Sequence, residues 1–142
     1  MSLVEKGDPY PKQIDETMRL VCELGARRYP SWPKIHLLCY QSRVGPSKWL
    51  EPSLPKTLER LGQEGVKEVL IVPISFVTEH IETLHEINIE AREEAEKLGI
   101  DTFRMMPALG DSPLFIAALK DLVLRAVGIT ADSTGRLSTA PR

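Results

Sequence analysis

Segments of helical and strand-like hydrophobic periodicity alternate along this 142-residue chain, and the alternation restricts its possible folds more than any other feature. The predicted order is helix–strand–helix–strand–helix–strand–helix, with short connections. Neighbouring parallel strands need a crossover helix, whereas a short hairpin would make them antiparallel. The order therefore predicts an α/β fold, a Rossmann-like, doubly wound three-layer sandwich with a parallel sheet of about three strands.

Three short strands are predicted, and the first is a nearly continuous apolar run, as is typical of a parallel strand covered on both faces. They are Ile35–Tyr40, Val69–Ile74 and Thr102–Leu109. Pro73 must lie where its missing N–H does no harm to the sheet.

Four helices are predicted, one before the first strand, two between the strands and one after the last. Ser53 and Ser112 are the predicted N-cap residues of the second and fourth helices. The first, second and fourth helices cover residues 12–28, 54–63 and 113–127, and the third, which carries the glutamates, ends at Leu98. Residues Ile14, Met18, Val21 and Cys22 are expected on the inner face of the first helix. Residues 1–128 are predicted to form one α/β domain. The small and polar segment 129–142 is predicted to be a disordered tail.

Composition excludes several classes of protein. The net charge of −2 gives no basic field that would attract nucleic acid. No apolar stretch approaches the roughly 20 residues of a membrane span, and the first residues do not resemble a signal peptide, so we expect a cytoplasmic protein. Cys22 and Cys39 lie in apolar patterns and are expected to be reduced thiols. Two such cysteines cannot by themselves build a structural zinc site or an iron–sulfur cluster.

Three glutamates, Glu82, Glu86 and Glu90, recur every four residues just after the second predicted strand. Open α/β sheets bind ligands at the carboxyl ends of their strands. Like charges at this helical spacing cost roughly 0.2–0.5 kcal/mol per pair, and a bound cation would remove that cost. The alternative is an ordinary solvated helix face, opposite an apolar stripe. The stripe consists of Leu84, Ile87, Ala91, Ala95 and Leu98.

Several stretches of the sequence resemble ferrochelatase, the enzyme that inserts ferrous iron into protoporphyrin IX in haem biosynthesis. The similar stretches are Gly7–Pro11, Tyr40–Leu50 and Val72–Leu84, and Gly110–Phe115 is similar to the start of the family's last helix. The likeness extends from Met1 to Val127 and is to the C-terminal part of the family.

The resemblance implies roles for particular residues. It makes Glu82 a catalytic, metal-facing acid and proton acceptor, and His80 a pocket histidine beside it. It makes Glu86 and Glu90 further members, with Glu82, of a row of acids leading to the metal, on a segment that the family often winds into a π-type turn.

The resemblance also implies that Phe76 and Trp49 line the porphyrin cleft. The substrates would be protoporphyrin IX and Fe²⁺, with no prosthetic group. Each residue has a simpler interpretation when taken alone. Trp49 could anchor its own loop, Phe76 could be a core residue, and His80 could be a helix cap or a surface residue.

One departure from the family pattern affects the expected activity. The family carries a His-Ser-Leu-Pro-like stretch upstream of the region that begins here at Met1, together with an N-terminal half that forms the opposite cleft wall. Neither His36 nor His85 is an obvious substitute for that histidine. We therefore expect a truncated form with little or no activity alone and without the front strand of the domain. The alternatives are a non-catalytic tetrapyrrole- or metal-binding module, or a half-size chelatase that works as a homodimer.

Overall fold

A computed structural model describes residues 7–41, 49–131 and 137–139 of the chain. It divides into two compact units, the first ending at Ala108 and the second beginning at Leu109. The first unit contains helices α1 (Tyr10–Arg28), α2 (Leu54–Gln63) and α3 (Arg92–Lys97), a π-helix (Glu82–Ala91), and strands β1 (Glu68–Ile71) and β2 (Thr102–Met105). The second contains α4 (Pro113–Ala126), β3 (Ile129–Ala131) and β4 (Leu137–Thr139). None of the helices in these ranges is long and apolar enough to cross a membrane.

The sheet of the first unit is parallel, as the alternation of elements predicts. Strand β1 pairs with β2 in a register that places Val69 opposite Phe103 and Ile71 opposite Met105. The chain between them runs through the π-helix and α3, which is the crossover that parallel pairing requires. The mixed α/β class is confirmed, with a small parallel sheet.

Both strands are shorter than the sequence predicted. Strand β1 ends at Ile71 instead of Ile74, because Pro73 cannot donate to a ladder and the chain turns there through a bond from the Ile74 N–H to the Val72 carbonyl. Strand β2 ends at Met105 instead of Leu109, just before the Met106-Pro107 step. The early end of β1 leaves residues 72–80 as an irregular segment at the carboxyl edge of the sheet.

The prediction of a strand at Ile35–Tyr40 is wrong, so the sheet in the described residues has two parallel strands instead of about three. Only Tyr40 pairs, in a single parallel bridge to Ser53. An apolar run becomes a strand only where a neighbouring strand bonds to it, and here Ile35 and Leu37 remain exposed. The bridge nevertheless brings Tyr40 and Gln41 to the start of α2.

The helix after β1 combines two geometries. Residues Glu82–Ala91 form a π-helix with i→i+5 bonding and Arg92–Lys97 continue as an α-helix, so the π-type winding that the resemblance implied is confirmed. The wider turn changes which residues face inward. Thr83 and Ile87 are buried, whereas Leu84 of the predicted apolar stripe is exposed. In α1, Val21 is likewise exposed, and Ile14, Met18 and Cys22 are half-buried.

The core of the first unit lies between α2, the π-helix, α3 and β2. Its buried apolar side chains are Leu54, Leu58, Ile87, Ala95, Ile100 and Phe103. Gly62 allows α2 to approach the end of α3, since a Cβ atom there would lie 2.8 Å from the Leu98 carbonyl oxygen. The core therefore fixes the π-helix against α2 and β2.

The tail contains a short ladder where the sequence predicted disorder. Ile129–Ala131 and Leu137–Thr139 pair as antiparallel strands. Ile129, Thr130 and Thr139 are β-branched residues, which favour extended backbone. The expectation of disorder does not hold for these two segments, and the remaining residues of the tail lie outside the described ranges.

Candidate active site

A cleft of about 290 Å³ opens at the carboxyl end of β1. The start of α1, the segment around Tyr40, the loop at Trp49 and the irregular segment after β1 form its walls. Its lining includes Tyr10, Ile14, Tyr40, Gln41, Trp49, Leu50, Pro73, Phe76, Glu82 and Ile87. Three residues singled out in the sequence, Trp49, Phe76 and Glu82, thus line one cavity, at the sheet edge where α/β folds bind ligands.

Glu82, the first residue of the π-helix, pairs with His80. Their atoms Glu82 Oε2 and His80 Nδ1 are 2.8 Å apart, and both side chains are about one-third exposed. The hydrogen bond from His80, and after it the backbone N–H of Glu82, hold the pKa of the Glu82 carboxyl below its ordinary value. Glu82 is therefore an anion at neutral pH.

The pairing determines which nitrogen of His80 carries a hydrogen. An ionised carboxylate can only accept hydrogen bonds, so Nδ1 must be the donor to Glu82. In the neutral imidazole the lone pair is then on Nε2. The dyad consequently combines a fixed negative charge with a nitrogen that can accept a proton or bind a metal.

Aromatic side chains support the two ends of the cleft. The Phe76 ring meets the His80 ring edge-on, with centroids 4.5 Å apart. The Trp49 indole N–H donates to the Gln41 carbonyl at 3.1 Å, and Trp49 also lines the cavity. Both interpretations of Trp49, as loop anchor and as cleft wall, are therefore compatible.

The three glutamates that recur every four residues in the sequence have different partners in the structure. The Glu86 carboxylate accepts a 2.8 Å bond from the Gln41 side-chain amide and is half-buried beside the cleft. Glu90 is exposed and lies 3.4 Å from His85, five residues earlier. That i,i+5 contact follows from the π-helical winding. Within residues 7–41, 49–131 and 137–139, no three carboxylate, imidazole or thiol side chains converge as a metal site would require.

Sequence reasoning missed a second acidic residue, Glu79, whose bonds support the Glu82–His80 pair. Glu79 accepts from the Thr83 hydroxyl at 2.6 Å through one oxygen and from the Ala108 N–H at 2.6 Å through the other. These two bonds, in that order, lower the pKa of the Glu79 carboxyl. Glu79 and Thr83 are four residues apart at the start of a helix, a spacing that could have indicated their contact.

Two tyrosines of the cleft wall were also missed. The Tyr10 hydroxyl is 2.9 Å from the Ser75 hydroxyl and so links α1 to the segment after β1. Burial, and after it the neighbouring Tyr10 and Asp15, raise the pKa of the Tyr40 hydroxyl, which therefore stays protonated. Tyr10 belongs to the Gly7–Pro11 stretch and Tyr40 opens the Tyr40–Leu50 stretch, so their positions in those stretches were the available signal.

Comparison with known proteins identifies the family. The family model described as Ferrochelatase matches residues 1–127. The chain belongs to the ferrochelatase family. It is 50% identical over 123 residues to the ferrochelatase of Gloeothece citriformis, covering 87% of this chain and 30% of that protein. It is also 50% identical over 128 residues to that of Geotalea daltonii, covering 89% of this chain and 38% of that protein.

A third ferrochelatase, from a Synechococcus strain, is 53% identical over 119 residues, covering 84% of this chain and 30% of its own length. The chain thus spans about a third of the length of the curated ferrochelatases it matches. The matched region contains the whole cleft described above.

Proposed function

We propose that this chain carries the metal-facing part of a protoporphyrin ferrochelatase site, which inserts Fe²⁺ into protoporphyrin IX, a lyase reaction of haem biosynthesis. The observation that carries the proposal is the Glu82–His80 dyad at the mouth of an aromatic-lined cleft. Family membership adds to it. The reaction takes one Fe²⁺ into the ring and releases two protons from the pyrrole N–H groups.

Glu82 and His80 divide the chemistry between them in this proposal. The lowered pKa of the Glu82 carboxyl keeps it anionic, which suits an oxygen that attracts and binds Fe²⁺. A weakly basic carboxylate holds a proton poorly, so we assign proton uptake to the dyad as a unit. One of the two pyrrole protons is taken up at His80 Nε2, which carries the free lone pair, and passes to solvent at this partly exposed side chain before the second is taken up.

Trp49 and Phe76 contact the flat, apolar porphyrin in this proposal. Aromatic side chains offer large dispersion area and stack on π-systems. Phe76 has a second role because its edge contact with the His80 ring restricts the imidazole. Replacing Phe76 should therefore affect both porphyrin binding and the position of His80.

Glu86 and Glu90 form a path for the incoming cation in this proposal. Glu86 is supported by its half-buried position beside the cleft, one turn beyond Glu82. Glu90, exposed and beside His85, would be the outer end of the path. These two carboxylates, which do not converge with other metal ligands in the described residues, bind Fe²⁺ weakly and in transit, which fits a substrate ion better than a resident metal.

The cleft has to be completed by further protein in this proposal, because the chain covers about a third of the length of its relatives. We propose that insertion by the 142 residues alone is weak. We also propose that the two-stranded sheet forms part of a three-layer sandwich.

Anaerobic insertion of Fe²⁺, or of Zn²⁺ followed by fluorescence, tests the function. The chain is assayed beside a form extended to the full length of its relatives. We expect turnover by the extended form, and a loss of about 10²–10⁴-fold in kcat on Glu82→Gln. Glu96→Gln, which removes an exposed carboxylate of α3 that does not line the cleft, is the control and should leave kcat unchanged.

The outcomes separate the two claims. The proposed function is contradicted if the extended form does not insert metal. It is also contradicted if the Glu82→Gln variant of the extended form keeps full activity. Robust turnover by the 142-residue chain contradicts only the claim that the chain is weak alone.

A further inference from the structure

We propose that Thr83 is a positioning residue whose buried hydroxyl holds His80 against Glu82, and that Glu79 anchors this hydroxyl to the segment following β2. This inference rests on the proposed function, because it takes the Glu82–His80 dyad as the reacting pair. Thr83 touches neither the cleft nor, in this view, the substrates. It acts through His80.

Thr83 has an unusual combination of burial and bonding for a polar residue at the start of a helix. Its side chain is 1% exposed, and with Leu58 it is one of the two largest fully buried side chains in the described residues. Its Oγ1 atom lies 3.1 Å from the His80 N–H, 3.0 Å from the His80 carbonyl oxygen and 2.6 Å from Glu79 Oε2. Both backbone groups of His80 therefore meet one hydroxyl.

The single hydroxyl hydrogen explains why Glu79 matters. Oγ1 accepts from the His80 N–H, while its one hydrogen goes either to the His80 carbonyl, at i−3, or to Glu79. The 2.6 Å distance and the negative charge favour Glu79. Donation to Glu79 orients the oxygen lone pairs towards the His80 N–H. The carboxylate thus sets the direction of the bond that holds His80.

Glu79 in turn is held from outside the helix. Its other oxygen accepts from the Ala108 N–H at 2.6 Å, 29 residues further along the chain. Because Ala108 follows β2, this bond connects the irregular segment after β1 with the segment after β2. A chain of hydrogen bonds through Thr83, Glu79 and Ala108 therefore connects His80 to the segment that follows strand β2.

A simple helix cap would not predict this arrangement. A side chain in the first turn of a helix often bonds a backbone N–H just before the helix, and Thr83 does this for His80, two residues before Glu82. A cap alone has no need for the Glu79–Ala108 connection or for full burial. These extra features fix His80 in position as well as starting the helix, and the ring of His80 meets Glu82, the neighbour of Thr83.

The decisive test is nitrogen NMR of the full chain at one neutral pH, free of porphyrin and metal. We expect wild-type His80 to show one tautomer, protonated at Nδ1, and nuclear Overhauser contacts between the Phe76 and His80 rings. Thr83→Val keeps the shape and removes the hydroxyl. It should average the two ring-nitrogen shifts and weaken the contacts to Phe76, and Thr83→Ser should restore both.

Thr57→Val is the matched control, because Thr57 is also buried and its hydroxyl donates to the carbonyl of Ser53, the residue before α2. It should lower the melting temperature about as much as Thr83→Val and leave the His80 signals unmoved. If Thr83→Val does not fold, Glu79→Ala, which changes an exposed side chain, should produce the same His80 signature. Unchanged His80 signals in the folded variant would overturn the proposal.

Insertion kinetics of the extended form separate this inference from the proposed function. Thr83→Val should lower kcat by about 10²-fold, the size expected for a misplacement near 1 Å, with little change in the KM for porphyrin. An altered His80 signature without any insertion by the wild type would refute the function and leave the positioning role intact. An altered signature with unchanged kcat would overturn the link between Thr83 and catalysis.

Discussion

Single residues in the cleft acquire their chemistry from one or two partners. Glu82 and Glu79 are both glutamates at the edge of the sheet, yet one bonds an imidazole and the other a hydroxyl and a backbone N–H. In both cases the donors stabilise the ionised form, and the pKa lies below the ordinary value. Their different functions follow from position, since Glu82 lines the cleft and Glu79 does not.

The lowered pKa values predict a loss of stability in acid. A carboxyl with a lower pKa in the folded than in the unfolded state stabilises the fold above its unfolded pKa of about 4.3. That contribution disappears as the pH falls through the folded pKa. We therefore expect the melting temperature to fall as the pH decreases below about 4.3, and Glu79→Gln to flatten this dependence. Circular-dichroism melts at a series of pH values measure it.

Glu96→Gln is the control for this experiment, because Glu96 is an exposed glutamate of α3. Its pH dependence should match that of the wild type. A Glu79→Gln protein with an undiminished acid slope would show that the bonds to Thr83 and Ala108 do not stabilise the fold.

At the scale of elements, the π-helix depends on a connection to β2 at its C-terminal end. Arg92 donates to the Asn88 carbonyl at 3.0 Å, to the Asn88 side-chain oxygen at 2.6 Å and to the Phe103 carbonyl at 2.6 Å. Its guanidinium carbon also lies 5.2 Å from the centre of the Phe103 ring. One side chain thus joins the last turn of the π-helix to the strand that it covers.

Arg92→Ala should destabilise the first unit by about 1–2 kcal/mol, because charged hydrogen bonds and a cation–π contact are lost together. Urea denaturation measures the change, and hydrogen exchange should accelerate at Asn88–Arg92. Arg104→Ala, an exposed arginine of β2, is the control and should stay within about 0.5 kcal/mol of the wild type. Equal effects of the two substitutions would contradict the bridging role of Arg92.

At the scale of the molecule, the core that supports the cleft is small. The six buried apolar residues of the described chain lie between Leu54 and Phe103, in and around α2, the π-helix, α3 and β2. Leu58, 1% exposed, lies at the contact of α2 with this group. Much of the stability of the first unit therefore depends on few side chains.

Leu58→Ala should cost about 2–5 kcal/mol, the combined loss of buried area and of packing around the cavity. This is a large part of the 5–15 kcal/mol typical of a domain, so the variant should show a much lower urea midpoint. Leu114→Ala is the control, because Leu114 is 86% exposed, and its effect should be within about 0.5 kcal/mol. A mild effect at Leu58 would mean that the core can close around the missing side chain.

The local pattern of the sequence determined the class of fold and the order of the helices relative to β1 and β2. Hydrophobic periodicity identified α1, α2, the helix after β1 and α4 close to their observed bounds, and the crossover rule made β1 and β2 parallel. The motif stretches singled out Trp49, Phe76, His80 and Glu82, which the structure brings to or beside one cleft. These features could be predicted because they depend on neighbours in the chain or on a repeated spacing.

Only the tertiary structure decided which residues bond across distance. The apolar run Ile35–Tyr40 has the pattern of a strand, but pairing needs a neighbour that the pattern does not supply, and only Tyr40 finds one. The bonds of Glu79 to Ala108 and of Gln41 to Glu86 join segments that are 29 and 45 residues apart. The sequence thus determined which side chains reach the sheet edge, and the tertiary contacts decided which of them hold the dyad in place.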